Sequence, residues 1–265
     1  MIILLSPAKT LDFESEPSLM ELPTKQPPLL DQSRELIKRL QGFNEAQLSE
    51  LMGLSDKLST LNVKRYQQWS GEGDKPAIYA FKGDVYQGLN AQSMSRELID
   101  VAERRVLILS GLYGALSPLT QIEPHRLEMG TKLETEYGKN LYQFWGERVT
   151  EEVNKALASN ASQQVINLAS KEYSKVIKSA KLNAEVITPV FKDEKGGQYK
   201  IISFFAKRAR GLLTRHLLEV VGETTQNKQR GLESFTSAGY RFNPDGSTLE
   251  APLFLRSEAD RLQYS

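Results

Sequence analysis

The first five residues, Met1-Ile2-Ile3-Leu4-Leu5, are apolar without interruption and stop at Ser6-Pro7. A β-branched and leucine run closed by a turn pair predicts a buried strand. Runs of the same kind at Ala77 to Ala80, Val106 to Ser110, Val165 to Leu168, Val186 to Phe191 and Tyr199 to Phe205 predict further strands. Several are apolar at consecutive positions, as suits a sheet covered on both faces. Helical spacing fills the intervals. Leu48, Leu51, Met52, Leu58 and Leu61 form one apolar stripe, and Val149, Val153 and Leu157 form another. The clearest helix runs from about Ala206 to Val221, with Ala209, Leu212, Leu213, His216, Leu217 and Val220 on one side and Gly222 as its stop.

Loops are marked by Pro17, Pro23, Pro27 and Pro28, by Ser70 to Asp74, by Gly222 to Gly231 and by Asn243 to Gly246, and Asp193 to Gly197 reads as a hairpin turn. No repeat or low-complexity tract is present. The pattern predicts a mixed α/β fold: one compact domain over 1–265, built around a mixed sheet, with an N-terminal helical insertion.

Composition narrows the chemistry. The 265 residues contain no cysteine, which removes disulfides, thiolate metal sites, iron–sulfur clusters and cysteine nucleophiles. Two histidines, His125 and His216, supply little for a multi-histidine metal site or a Ser-His-Asp triad, and no metal or cofactor is expected. The opening apolar run is too short for a signal segment or a membrane span, so a cytoplasmic protein without a membrane partner is expected. The net charge of +1, from 34 Lys+Arg and 33 Asp+Glu, confines any polyanion site to a local patch.

One such patch lies between Lys200 and Arg215, which holds Lys200, Lys207, Arg208, Arg210 and Arg215 and no acid. At about 100° per residue, Lys207, Arg208 and Arg215 fall opposite the apolar face and Arg210 at its border. Clustered Arg and Lys neutralise phosphates, each contact releasing counterions. The competing reading is a solvated face balanced by acids from elsewhere in the fold. A second patch, over about 45–69, joins a leucine-striped helix through a break near Asn62 to a helix with Lys64, Arg65, Tyr66 and Trp69. With Lys57, this resembles a helix-hairpin-helix, which offers backbone N–H groups and cations to DNA phosphates. The hairpin glycine is replaced, Thr60 and Asn62 standing there, and an ordinary helical hairpin is the alternative.

Turns after the strands suggest a cleft floor, because ligands of α/β sheets gather beyond the carboxyl ends of strands. Ser6-Pro7-Ala8-Lys9-Thr10, Phe81-Lys82-Gly83-Asp84-Val85-Tyr86, Ser110-Gly111-Leu112-Tyr113-Gly114 and Asn167-Leu168-Ala169-Ser170 are of this kind. The floor would hold Ser6, Lys9, Lys82, Asp84, Ser110, Tyr113, Asn167 and Ser170, with Arg126 and Glu128 beside it. Asp84, Glu128 and Glu172 are the available acids or bases, and no spacing selects a catalytic pair.

These segments, with Ser55-Asp56-Lys57-Leu58, Arg126-Leu127-Glu128-Met129-Gly130, Leu141-Tyr142-Gln143-Phe144-Trp145-Gly146 and Lys200-Ile201-Ile202-Ser203 followed by Ala206-Lys207, together resemble the bacterial YaaA family of peroxide-stress resistance proteins, from residue 1 to about 242. The resemblance implies a cytosolic protein with a helix-hairpin-helix beside a positively charged cleft. It further implies DNA binding and protection against hydrogen peroxide, with lower free iron. On that basis the partner is DNA, double-stranded or distorted and read with little sequence specificity, held by Lys57, Asn62, Lys64, Arg65, Lys207, Arg208, Arg210 and Arg215. The ligand supply makes any effect on iron indirect. An enzyme acting on a nucleotide, or on a base in nucleic acid, is the alternative from another class, and oligomeric state stays open.

Overall fold

The computed structural model describes residues 1–19, 21–223 and 228–264, with the backbone alone at 221–223 and 228–230. Its centre is a five-stranded sheet in the order Gly114–Leu116, Val106–Ser110, Ile2–Leu5, Gln164–Asn167, Glu185–Ile187. The last four run parallel and only Gly114–Leu116 is antiparallel. The N-terminal segment is the central strand, pairing Ile3 with Val106 on one side and with Ile166 on the other. Ile2 to Leu5 are all buried, which explains why the run does not alternate. The Arg148–Ser159 helix buries Val149, Val153 and Leu157.

A second, four-stranded sheet has the order Gln198–Lys200, Val190–Lys195, Leu253–Arg256, Arg241–Asn243. The expected hairpin at Asp193 to Gly197 joins its first two strands, with Gly196 and Gly197 both at positive φ (61° and 74°) as the two-residue turn requires. A buried ion pair sits beneath this sheet. Arg256 Nε donates to Asp193 Oδ1 at 2.6 Å, Tyr240 OH donates to Oδ2 at 2.8 Å, and the guanidinium lies over the Phe205 and Tyr240 rings.

Five predicted features are corrected. Ala77–Ala80 is a buried helical turn between two-residue strands, since a four-residue apolar run carries no period to separate helix from strand. The Val186 to Phe191 run is two strands in different sheets, parted at Thr188-Pro189, where proline cannot donate to a ladder. The strand from Tyr199 ends at Lys200, and Phe204 and Phe205 already belong to the long helix Ser203–Glu223. That helix runs through Gly222. A further helix, Lys228–Glu233, occupies part of the expected loop, whose residues 224–227 lie outside the described ones.

The N-terminal insertion is helical, Leu30–Gln41 followed by Glu45–Met52 and Asp56–Gln68, but its break is not at Asn62. Asn44 starts the middle helix with a capping box, and Gly53 ends it in the left-handed region (φ 61°). Asn62 lies inside the next helix, fully buried, donating to Leu58 O. The turn at Gly53 resets the helical phase, so the single leucine stripe does not persist. Ser59, Asn62 and Tyr66 face inward while Leu61 is 40% exposed.

Candidate functional site

The central strand has parallel neighbours on both sides, which opens a crevice beyond its carboxyl end. Ser6 stands at that end. Its Oγ accepts from Ser170 N at 2.8 Å, joining two strand ends, and its carbonyl accepts from Tyr86 OH at 3.0 Å. Thr10 pairs with Lys82, and a Cβ on Gly83 would touch Ala8, so the Phe81 to Tyr86 turn borders the same crevice. From the other side Gly111 admits the Leu127 backbone, since a Cβ there would meet Leu127 O at 2.2 Å. This presses the Arg126 to Gly130 segment onto the strand end. Gly130 N donates to Glu172 Oε1 at 2.9 Å, and Tyr142 OH donates to the Glu172 carbonyl.

Ser6, Lys9, Lys82, Asp84, Arg126, Glu128 and Ser170 therefore lie on segments around one crevice, with Glu172 at its margin. Ser110 and Tyr113 do not face it. Ser110 is buried and its Oγ accepts from Tyr113 N, while Tyr113 OH accepts from Trp69 Nε1 and Glu123 N, both at 3.1 Å. Burial pushes the Tyr113 hydroxyl up to about 12. Asn167 shapes the turn, its Oδ1 accepting from Ala169 N.

The cations fall into two sets. In the first, each charge has a partner. Lys9 meets Glu128 at 3.1 Å and Arg126 meets the same carboxylate at 3.0 Å. Lys82 meets Asp12 at 3.0 Å, with Lys75 at 3.8 Å, and the Ser15 backbone N–H together with Lys82 holds Asp12 well below the usual carboxylate range. Arg215 pairs with Glu219 and donates to Asn90 O and Ser93 Oγ, bracing the long helix against that turn.

In the second set no acid is engaged among the described residues. Lys57, Lys64, Lys207 and Arg208 are exposed, and Arg65 and Arg210 are partly buried. Burial lowers the pKa of both arginines, so each bears a desolvation cost that no carboxylate offsets. Arg210, expected at the border of the apolar face, is instead on the inward arc that also buries Ala206, Leu213 and Thr214. Asn62, buried within its helix, presents nothing to a ligand.

Two glycines set the long helix in place. A Cβ on Gly211 would lie 1.8 Å from Val85 O, and one on Gly88 would lie 2.2 Å from Arg208 O. The basic helix thus rests backbone to backbone on Asp84–Leu89, the helix that follows the Lys82-Gly83 turn. At another margin Tyr66 OH donates to the Arg126 carbonyl, and Arg65 adjoins Tyr66 and His125. The sequence does not single out Asp12, and it places Tyr66 only beside Lys64 and Arg65 on a helix. Asp12 had a signal, the Asp-x-x-Ser spacing of an Asx turn, whereas nothing near Tyr66 marks its distant partner.

Among the described residues, no group of three or more His, Asp or Glu could hold a metal ion, and no helix is long and apolar enough to cross a membrane. A family model described as peroxide stress protein YaaA matches residues 1–246. The chain belongs to this family. Its relatives include a UPF0246 protein of Shewanella pealeana, 48% identical over 262 residues, 97% of this chain and 100% of that protein. UPF0246 protein IL2146 of Idiomarina loihiensis is 47% identical over 262 residues, covering 97% and 99% of the two chains. A UPF0246 protein of Shewanella denitrificans is 49% identical over 264 residues, with coverage of 97% and 99%. Membership ties the chain to peroxide stress.

Proposed function

We propose that the protein binds DNA in the cytoplasm during peroxide stress and shields it, so that iron-driven damage falls without the protein holding iron. The observation that supports this is the sorting of its cations. Those within the crevice are neutralised by carboxylates, while Lys207 and Arg208 on the long helix, and Lys57 and Lys64 on the Asp56–Gln68 helix, are exposed and pair with no carboxylate among the described residues. Phosphate contacts from such cations bind duplex or distorted DNA with little sequence preference and steep salt dependence. Replacing Lys207 and Arg208 by Ala should weaken binding to intact, gapped and bubbled DNA alike and flatten the salt slope by roughly two. Unchanged fluorescence anisotropy titrations, with circular dichroism intact, would remove the helix from the interface.

The gathering of Ser6, Lys9, Arg126, Glu128 and Ser170 favours a second reading, an enzyme acting on a nucleotide or on a base in nucleic acid. Incubation with normal and oxidised DNA, scored by mass spectrometry, separates the two: a covalent change supports the enzyme, and binding alone supports the shield.

A further inference from the structure

A carboxylate in the crevice stands among groups suited to hold a phosphate. Glu128 accepts through Oε1 from Arg126 Nη2 at 3.0 Å and Nε at 3.3 Å, and through Oε2 it meets Lys9 Nζ at 3.1 Å. Both of its oxygens are thus gripped by cations, one by a guanidinium fork, which is how proteins grip phosphate oxygens. The pair is reachable, the side chains of Glu128 and Lys9 being 24% and 64% exposed. It is also held in place, because Tyr66 OH secures the Arg126 carbonyl and Gly111 abuts the Leu127 carbonyl. The next acid, Glu172, is engaged by Gly130 N.

We propose that Glu128 is a built-in substitute for a nucleic-acid phosphate: it occupies Lys9 and Arg126 in the free protein and yields to a DNA phosphate, thereby setting the affinity of the crevice. The inference rests on the DNA-binding reading. When a phosphate displaces Glu128, the freed carboxylate takes up one cation while the DNA releases its own, so the pair of Lys9 and Arg126 adds one unit less to the salt dependence of the native protein than its two charges would. Once Glu128 is neutral, no carboxylate is left to take that cation up.

The experiment compares Glu128→Gln, Lys9→Ala and the double variant by anisotropy with labelled duplex DNA over a series of salt concentrations. Glu128→Gln should bind about fivefold tighter or better at low salt, with a slope steeper by about one. Lys9→Ala alone should change little, and in the Glu128→Gln background it should remove a large part of the gain, a coupling that only a shared site produces. A second readout needs no DNA. Inorganic phosphate should raise the melting temperature of Glu128→Gln saturably over chloride at equal ionic strength, and should not do so for the native protein. A folded Glu128→Gln with unchanged or weaker DNA affinity and no phosphate response overturns the proposal. If that result accompanies loss of binding in the Lys207→Ala/Arg208→Ala variant, the DNA reading stands and only the role of Glu128 falls. If no form binds DNA yet Glu128→Gln responds to phosphate, the anion seat stands and the DNA reading falls.

Discussion

His125 is 6% exposed and its Nδ1–H donates to the Glu123 carbonyl, 2.8 Å away, with its ring edge-on to Tyr113. Burial, aided by the charge of Arg65, lowers its pKa from 6.5 to about 4. In the unfolded chain the ring takes a proton near 6.5. Between there and about pH 4 the unfolded state therefore binds more protons than the folded one, and stability falls as the pH falls. A shift of that size is worth about 3 kcal/mol across the window. Urea unfolding at a series of pH values should show this loss, and His125→Gln should flatten it. Asp12 acts lower, since its depressed pKa keeps its contribution until the pH drops below the ordinary aspartate range of about 3.8.

At the scale of elements, the crossing of the long helix over Asp84–Leu89 is governed by Gly88 and Gly211. Alanine is the better helix former by about 1 kcal/mol. At Gly211, however, its Cβ would fall 1.8 Å from Val85 O and 2.7 Å from Leu89 N, both backbone atoms that cannot step aside. Gly211→Ala should therefore destabilise the protein by about 1–3 kcal/mol in denaturant titration. Gly231→Ala, where the nearest atoms are side-chain carbons at 3.6 Å, should be neutral or mildly stabilising. Neither outcome follows from sequence, which shows neither the strand-end helix that Gly211 meets nor that Gly231 belongs to a helix at all. The same limit explains the insertion. Its helices are legible from apolar spacing, but Gly53 interrupts the period, so that Leu61 falls on the outer face and the chain turns at Gly53 and not at Asn62. The run from Val186 to Phe191 reads as one strand despite Pro189, because the transfer of the chain from one sheet to the other depends on strands that begin near Arg241 and Leu253.

Over the whole molecule, a net charge of +1 conceals an arrangement in which acids neutralise the cations of the crevice and leave Lys207 and Arg208 of the long helix exposed without a carboxylate partner among the described residues. The basic stretch from Lys200 to Arg215 was legible because its acid-free composition is local. That Lys9 and Lys82 have partners, and that Arg215 is a brace, was not, because Glu128, Asp12 and Ser93 reach them only through tertiary contacts. The supply of metal ligands is likewise a property of the whole chain, with two histidines and no cysteine. Anaerobic titration of the purified protein with ferrous iron should show no saturable site at about micromolar concentration. One tight iron per chain by calorimetry would transfer attention from shielding DNA to sequestering metal.

The central place of the Ile2–Leu5 strand also has a consequence in time. Its two sheet partners, Val106–Ser110 and Gln164–Asn167, leave the ribosome more than a hundred residues after it does. At about 5–20 residues per second, the most apolar segment of the fold waits on the order of ten seconds for its neighbours. Pairings this distant in sequence are slow to close even in the complete chain. The strand that gives the crevice its floor is thus the one that spends longest exposed to chaperones and to misassembly during each round of synthesis.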